Sequence, residues 1–165
     1  MSETTEFWQG TFGDEYVERN RVDWLKRVPF WQSIIDKTGA TSVLEVGCNA
    51  GWNLQAIRKV NNQIAMTGID LNEKALAEAK VAGFDVEQMR GDDIDSAFGH
   101  NCCDLVFTAG VLIHVPPDEI GLVMQSIANA SAQYVLAVEY EADTEEMVKY
   151  RGNADRLWKR PFGAM

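Results

Sequence analysis

Residues 42–54 read Ser42-Val43-Leu44-Glu45-Val46-Gly47-Cys48-Asn49-Ala50-Gly51-Trp52-Asn53-Leu54. A short apolar, β-branched run leads into a loop with two glycines, and a segment with helical periodicity follows. This order predicts a buried strand, a tight loop and a helix whose free N-terminal amides face the loop. The glycines permit a positive φ angle and a close approach by a ligand. Because a helix N-terminus favours a carboxylate or phosphate, the stretch predicts a site for a nucleotide-like ligand.

Apolar, strand-like runs alternate with helix-like segments along the rest of the chain. The later predicted strands cover residues 64–69, 84–89, 103–108 and 134–139, and the predicted helices cover residues 22–37, 52–60, 73–80 and 117–130. Pro29 is expected to interrupt the first helix, Gly39 to close it, and Asn72 to cap the helix at 73–80. Apolar strands between helices are typical of a parallel sheet covered on both faces. We therefore expect an α/β fold with a doubly wound, Rossmann-like sheet.

Composition and charge narrow the class of protein. The chain has 165 residues, 46% of them hydrophobic, which suits one globular domain with a core. A formal net charge of −10 argues against nonspecific binding to nucleic acid. The three cysteines, two of them adjacent, do not form a disulfide framework, and neither a leader nor a membrane-spanning run is visible. We expect a cytoplasmic protein that binds neither nucleic acid nor membrane.

Acidic and basic residues are unevenly distributed. No Lys or Arg lies between Gly91 and Val148, where acidic residues are frequent. A basic cluster follows at once and consists of Lys149, Arg151, Arg156, Lys159 and Arg160. An acidic body beside a basic cluster suggests a cationic ligand in one place and an anionic ligand nearby. A solubilising surface with a basic tail is the plainer interpretation.

Acidic residues end three successive predicted strands: Glu45, Asp70 and the pair Asp92 and Asp93. The carboxyl ends of parallel strands meet at one edge of a sheet, so these side chains are expected to lie together. A carboxylate can accept hydrogen bonds from ribose hydroxyls or from the exocyclic amine of adenine. Acids at strand ends can also merely cap helices, but their coincidence with the glycine loop favours a ligand site.

Asn49 distinguishes between cofactors. A dinucleotide fingerprint, Gly-x-Gly-x-x-Gly, needs a glycine at this position, and Asn49 crowds a pyrophosphate there. The loop is also not a P-loop, because no Gly-Lys-Ser/Thr follows. The better fit is a ligand with a carboxylate for the helix end, a ribose for Asp70 and a cationic centre. S-adenosylmethionine has all three features, and a nicotinamide-dependent oxidoreductase is disfavoured.

Further motifs lie outside the loop. They read Phe7-Trp8-x-Gly10-x-Phe12-Gly13-x-x-Tyr16-x-x-Arg19-Asn20, Gly47-Cys48-Asn49-x-Gly51-x-Asn53-Leu54, Gly110-Val111-Leu112-Ile113-His114 and Tyr150-Arg151-Gly152. With Glu45-x-Gly47-x-Asn49-x-Gly51, Asp70 and Gly91-Asp92, the chain resembles the class I S-adenosylmethionine-dependent methyltransferases. More narrowly, it resembles the methylases associated with pseudaminic acid biosynthesis. The resemblance implies one methyltransferase domain over residues 1–165, with an N-terminal helical cap (1–40), a cofactor-binding core (41–140) and a basic C-terminal segment (141–165).

The resemblance also implies a cofactor site for S-adenosylmethionine. Its residues would be Glu45, Gly47, Asn49, Gly51, Asp70, Leu71, Asp92, Asp93, Thr108 and Gly110. In this site Glu45 would support the ammonium group and Asp70 would hold the ribose hydroxyls. Asp92 and Asp93 would frame the adenine, and residues 108–110 would line the floor near the sulfonium. The methyl acceptor would be a small, anionic, sugar-type molecule of the nonulosonic acid pathway.

Acceptor binding is assigned to Tyr16, Arg19, Tyr150, Arg151 and Arg156. Arginine suits a carboxylated or phosphorylated sugar, because it binds both groups bidentately. A solvated C-terminal helix is the alternative for the basic residues. The aromatic segment 7–20 is either a hydrophobic staple that packs on the domain or a lid over a pocket.

His114 is the candidate general base for a hydroxyl or amine acceptor. The alternative is a structural residue that bonds to backbone before the turn at Pro116 and Pro117. No metal site is expected, because the chain has only two histidines and the adjacent Cys102 and Cys103 lie at the start of a predicted strand.

The predicted sheet lacks the last two strands of the class I fold, because residues 141–165 contain no predicted strand. We expect either a truncated chain or a sheet completed by another subunit, and the unfinished edge predicts a homo-oligomer. Two functions therefore stand. One is a methyltransferase with a small-molecule substrate, and the other is an incomplete domain that binds the cofactor without effective turnover.

Overall fold

The computed structural model describes residues 3–165. The α-helices are α1 (Glu3–Gln9), α2 (Thr11–Arg19), α3 (Val28–Thr38), α4 (Trp52–Val60), α5 (Glu73–Val81), α6 (Ile94–Phe98) and α7 (Ile120–Ala130). The strands are β1 (Ser42–Val46), β2 (Ala65–Asp70), β3 (Asp85–Gln88), β4 (Cys103–Ala109), β5 (Ser131–Val138), β6 (Glu146–Met147) and β7 (Trp158–Lys159). Short 3-10 helices cover Trp24–Arg27, Leu112–His114 and Phe162–Ala164. No helix within residues 3–165 combines the length and apolarity needed to cross a membrane.

Five parallel strands form the central sheet in the order β3-β2-β1-β4-β5. Strand β1 lies in the middle, with Val43 beside Met66 of β2 on one side and Leu105 of β4 on the other. The strand order reverses between β1 and β4, which is where α/β sheets bind ligands beyond their carboxyl ends. The doubly wound, Rossmann-like α/β fold predicted from the sequence is confirmed.

Apolar side chains cover both faces of this sheet. Val43 belongs to a layer that includes Trp31 and Leu54. Its neighbour Leu44 belongs to the opposite layer, which includes Ile113. Successive strand residues point to opposite faces, so β1 is buried on both sides and reads in the sequence as an unbroken apolar run.

The boundaries of the predicted elements agree with the structure to within three residues except near Pro29, and helix α6 was not predicted. The helix predicted over 22–37 is shorter, because a 3-10 helix precedes α3 and Pro29 lies in the first turn of α3. A proline costs little stability in the first turn, because a backbone N–H at that position would have no acceptor within the helix. Gly39 ends α3 with φ at +64°, and the Asn72 side chain accepts a hydrogen bond from the Ala75 amide, both as expected.

The C-terminal segment differs from its prediction. Residues 141–165 were expected to contain no strand, but β6 and β7 pair antiparallel. The alternative of a solvated C-terminal helix is also wrong. Within this segment the structure places one 3-10 helix, and Leu157 and Phe162 pack in the apolar layer beside Ile113. The segment is therefore folded against the domain.

Arg160 holds this segment in place. Its side chain is 1% exposed, and it donates to the carbonyls of Leu112 and Val115 at 3.0 and 2.9 Å. Its Nε also pairs with Glu145 at 2.6 Å. The sequence placed Arg160 in a basic cluster for an anionic ligand, but its guanidinium binds carbonyl groups of the loop after β4 instead.

Strand β5 lies at one edge of the sheet. Among residues 3–165 no strand pairs with its outer side. Apolar residues are exposed along it, and Val135 is 53% exposed.

Candidate active site

Two adjoining cavities lie at the carboxyl edge of the sheet. The strand-end cavity, of about 310 Å³, lies over the ends of β1, β2 and β4 and the segment after β3. The outer cavity, of about 860 Å³, lies between the ends of β4 and β5, helix α3 and the C-terminal segment. We call the residues that line both cavities the shared wall: Tyr16, Asn20, Arg27, Asn53, Ala109, Gly110 and His114.

Most residues predicted to bind the cofactor line the strand-end cavity. They are Glu45, Gly47, Asn49, Asp70, Leu71, Asp92 and Gly110. Gly51, Asp93 and Thr108 are not among its lining residues. Thr108 is buried in β4, and Asp93 lies just before α6. Gly51 shapes the loop with φ at +74°, and a Cβ there would meet the Phe84 ring at 3.1 Å.

Asp70 fixes the glycine loop. Its carboxylate accepts a hydrogen bond from the Asn49 amide at 2.8 Å and another from the Asn72 amide at 2.9 Å. Asn49 has φ at +49°, a left-handed conformation that asparagine tolerates better than most residues. Each carboxylate oxygen retains a second lone pair, so Asp70 can still accept hydrogen bonds from ligand hydroxyls. Burial raises the pKa of Asp70.

Gly47 permits contact between this loop and the loop after β4. Its φ is +72°, and a Cβ at this position would come within 2.3 Å of a Val111 methyl group. The close packing and the backbone conformation both require glycine here.

Glu45 is a buried carboxyl group of the site that is only partly hydrogen-bonded. It is 2% exposed, and its Oε1 accepts a hydrogen bond from Asn53 at 2.6 Å. Its Oε2 is buried without a hydrogen-bond partner among residues 3–165. Burial raises the pKa of Glu45 to about 8. An unpartnered carboxyl oxygen beside a cavity fits a ligand that brings a cationic or hydrogen-bond-donating group, such as the ammonium of S-adenosylmethionine.

Asp92 is held by Arg90, which the sequence did not single out. Arg90 donates to both Asp92 oxygens, at 2.8 and 2.9 Å, and also to Glu119 at 2.9 Å. This hydrogen bonding lowers the pKa of Asp92. Asp92 therefore faces the strand-end cavity as a fixed carboxylate.

His114 lies in the shared wall on the 3-10 helix after β4. Its Nδ1 is 2.6 Å from the Arg156 carbonyl oxygen, which can only accept, so Nδ1 carries the proton and Nε2 has a free lone pair. Burial lowers the pKa of His114 to about 4, which keeps the ring neutral at pH 7. The neutral ring leaves Nε2 able to accept a hydrogen bond, and it also makes the backbone bond of the structural alternative.

The loop that carries His114 is bound from two sides. The Glu139 carboxylate, at the end of β5, accepts from the amides of Val111 at 3.0 Å and Leu112 at 3.2 Å. Arg160 binds carbonyls of the same loop from the C-terminal segment. The position of His114 therefore depends on residues that follow it by more than twenty positions.

The N-terminal aromatic segment packs on the domain and borders the strand-end cavity. Trp8 packs on the rings of His114 and Tyr16, with ring centroids 4.6 and 5.4 Å apart, and it also lines the strand-end cavity. Asn72 donates to the Trp8 carbonyl and to Asp14, which ties α1 and α2 to the start of α5. The segment therefore packs on the domain beside the cavity, and its role as a lid stays a prediction.

The five predicted acceptor residues separate into two groups. Tyr16 lies in the shared wall, and Tyr150 and Arg151 line the outer cavity. Arg19 and Arg156 line neither cavity. Arg19 pairs with Glu15 at 2.9 Å, and the Arg156 guanidinium lies over the Phe7 ring and pairs with Glu3 at 3.7 Å.

The sequence did not identify three cations as lining residues of the outer cavity: Lys26, Arg27 and Lys159. Lys159 was noted only as part of the basic cluster. No motif marks Lys26 or Arg27, and helical periodicity placed both in a helix that the structure replaces with a 3-10 turn. Within residues 3–165 no group of His, Cys, Asp and Glu side chains could hold a metal ion.

The model of a methyltransferase domain family matches residues 43–133. The match covers more than half of the chain, and the chain therefore belongs to the methyltransferase domain family. The matched region holds the glycine loop, Asp70, Asp92 and His114. A comparison with curated proteins finds no match.

Solved structures with the same fold include several methyltransferases. A SAM-dependent methyltransferase from Archaeoglobus fulgidus has a TM-score of 0.60 at 17% identity, covering 79% of this chain and 55% of its own. A sugar N-methyltransferase from Streptoalloteichus has a TM-score of 0.64 at 17% identity, and the match covers 87% of this chain and 62% of that protein. The 1,6-didemethyltoxoflavin N1-methyltransferase of Burkholderia thailandensis has a TM-score of 0.66 at 16% identity. Its structure contains S-adenosylhomocysteine, and the match covers 92% of this chain and 70% of that protein. The chain thus spans 55% to 70% of the length of these proteins. At these identities the likeness shows that the chain shares their fold.

The raised pKa of Glu45 predicts how stability changes with pH. Because its pKa rises from 4.5 to about 8 on folding, the folded state binds more protons than the unfolded chain between these values. The stability that comes from this extra bound proton is fully present below the pKa of the unfolded chain, and it is lost as the pH rises toward the pKa of the folded state. We expect Glu45→Gln to remove a fall in unfolding free energy of up to about 1.4 kcal/mol per pH unit.

Urea unfolding of wild type and Glu45→Gln between about pH 5 and about pH 8 measures this difference. Glu87→Gln, at an exposed position of β3, is the matched control and should keep the wild-type slope. Parallel stability curves for wild type and Glu45→Gln would contradict the prediction.

Proposed function

We propose that the protein is an S-adenosylmethionine-dependent methyltransferase whose acceptor is a small, anionic, sugar-type molecule of the nonulosonic acid pathway. The observation that carries the acceptor class is the charge of the outer cavity. In a chain with a net charge of −10, its lining contains four cations, Lys26, Arg27, Arg151 and Lys159. Its one acidic residue is Glu139, whose carboxylate is bound to backbone amides.

The strand-end cavity is proposed as the cofactor site. Asp70 would accept hydrogen bonds from the ribose, the unpartnered oxygen of Glu45 would face the ammonium group, and Asp92 would lie near the adenine. When bound, S-adenosylmethionine supplies a methyl group that its sulfonium has already activated. The protein therefore has to align the acceptor, exclude water and move a proton.

The shared wall suits these three tasks. Tyr16 and His114 line both cavities, so they lie where an acceptor in the outer cavity would meet the cofactor. Trp8 lines the strand-end cavity and would help to exclude water from it. His114, neutral and with Nε2 free, would take the proton from a hydroxyl or amine acceptor.

The comparisons are compatible with this acceptor class. The structure from Streptoalloteichus is a sugar N-methyltransferase, and the one from Burkholderia thailandensis acts on a small molecule. The cytoplasm is the proposed compartment, because the three cysteines are free.

Calorimetric titration with S-adenosylhomocysteine tests the cofactor assignment. We expect binding by wild type and a loss of at least about tenfold in affinity for Asp70→Asn, because hydrogen bonds to a charged acceptor are weakened. Asp85→Asn, at an exposed position of β3, is the matched control and should bind normally. NAD should not bind. Binding of NAD in preference to S-adenosylhomocysteine would overturn the proposal.

The role of His114 is tested by His114→Ala in a methyl-transfer assay against cell-extracted sugar nucleotides and anionic sugars. Loss of a general base should lower kcat about 10²- to 10⁴-fold while S-adenosylhomocysteine still binds. Undiminished transfer would leave only the structural role. A wild-type protein that binds S-adenosylhomocysteine but transfers no methyl group would support the alternative of a cofactor-binding domain without turnover.

We also propose a homo-oligomer through β5. This strand carries no charged side chain, has a free outer edge among residues 3–165 and exposes Val135 and Val138. Such edges pair readily with other chains. Light scattering should give a mass above 18.4 kDa that falls toward the monomer in Val135→Lys. A monomeric wild type would refute this assignment, and Val81→Lys, at an exposed position of α5, is the control.

A further inference from the structure

Arg27 is the cation that lies where the two cavities meet. Its side chain lines both the strand-end cavity and the outer cavity. It is only partly exposed, and its Nη1 donates to Asn53 Oδ1 at 2.7 Å. Of the four cations in the outer cavity, Arg27 is the one that also belongs to the shared wall.

Asn53 holds Arg27 in a defined orientation. Asn53 is 6% exposed, and its Oδ1 also accepts from the buried Trp31 indole at 3.2 Å. Its Nδ2 donates to Glu45 at 2.6 Å. With both ends of the amide engaged by buried neighbours, Asn53 cannot turn without losing hydrogen bonds, so the edge of the guanidinium that it binds is fixed.

The rest of the guanidinium is available to a ligand. A guanidinium has five N–H donors, and the only hydrogen bond of Arg27 within residues 3–165 is the one to Asn53. The nearby Glu45 carboxyl is hydrogen-bonded to Asn53 and makes no ion pair with Arg27. Glu139 is occupied by backbone amides. No carboxylate of the described residues therefore competes for this edge.

Lys26 and Arg151 are less well placed to orient a ligand. The Lys26 side chain is 84% exposed and lies 3.9 Å from Asp23. Arg151 is exposed in a turn with φ at +47°. These side chains can attract an anion over a distance, whereas a fixed, planar guanidinium can bind a carboxylate or phosphate through two parallel hydrogen bonds.

We propose that Arg27, oriented by Asn53, is the subsite for the carboxylate or phosphate group of the methyl acceptor. The proposal rests on the function proposed above and names the residue that reads the acceptor's charge. An acceptor anchored at Arg27 extends along the shared wall, which also contains His114. The sequence assigned acceptor binding to five residues that did not include Arg27, and one of them, Arg156, packs its guanidinium on α1 instead.

The test is an NMR titration of the protein with three sugars: glucuronate, glucose 6-phosphate and uncharged glucose. Each is titrated with and without S-adenosylhomocysteine into wild type, Arg27→Gln, Arg27→Lys and Arg21→Gln. Arg21 lies on the surface, pairs with Glu18 and Glu78, and provides the matched control. Thermal melting of each variant checks that it is folded.

Wild type should bind at least one of the anionic sugars at least about tenfold more tightly than glucose, and Arg27→Gln should lose that preference. If wild type prefers glucuronate to glucose, Arg27 binds a carboxylate. If it prefers glucose 6-phosphate, Arg27 binds a phosphate. Arg27→Lys should bind more weakly than wild type, because it keeps the charge but loses the planar pair of donors. Arg21→Gln should match wild type. An Arg Nε–Hε signal that is missing in Arg27→Lys should shift on addition of the anionic sugar.

The proposal is overturned if wild type shows no preference for the anionic sugars, if Arg27→Gln binds them as wild type does, or if Arg21→Gln loses as much as Arg27→Gln. If Arg27→Gln does not fold, Arg27→Lys and the Nε–Hε signal decide. Failure of the proposed function gives a different result, since the protein would then not bind S-adenosylhomocysteine while its preference for anionic sugars persisted.

Discussion

The hydrogen bond from the Asn49 amide to the Asp70 carboxylate is the constraint on which the site depends. It joins the loop after β1 to the end of β2, two segments that meet only because the strands are parallel neighbours. The loop in turn sets where α4 begins, and the first turn of α4 carries Asn53. Asn53 then bridges Glu45 and Arg27. The hydrogen bond of the Asn49 amide therefore helps to fix both the floor of the strand-end cavity and the position of Arg27 in the wall of the outer cavity.

The opposite wall is fixed by a different part of the chain. The loop after β4 has its amides bound by Glu139 and its carbonyls bound by Arg160, while His114 bonds to the Arg156 carbonyl. A loop that carries a candidate base needs such support, because a displacement of about 1 Å at a reacting group can cost about a hundredfold in rate. The C-terminal segment is therefore part of the site, although Arg160 and Arg156 do not line either cavity.

Charge is segregated within a chain that is acidic as a whole. The strand-end cavity contains carboxyl groups whose pKa values are set locally, since burial raises the pKa of Glu45 and the hydrogen bonds from Arg90 lower the pKa of Asp92. The outer cavity carries cations whose fields are not cancelled by free carboxylates of its lining. Such a division suits two ligands of opposite character, a cationic one at the strand ends and an anionic one beside it.

The sequence by itself determined the strand, loop and helix of residues 42–60, the cap at Asn72 and the parallel α/β architecture, because these follow from periodicity and turn chemistry within a few residues. It also predicted that Glu45, Asp70 and Asp92 would share one edge, since parallel strands bring their carboxyl ends together. The tertiary structure alone decided the roles of the arginines. Whether a guanidinium faces a cavity, as in Arg27, or a backbone carbonyl 48 residues away, as in Arg160, depends on which distant segments surround it. No local pattern records those contacts.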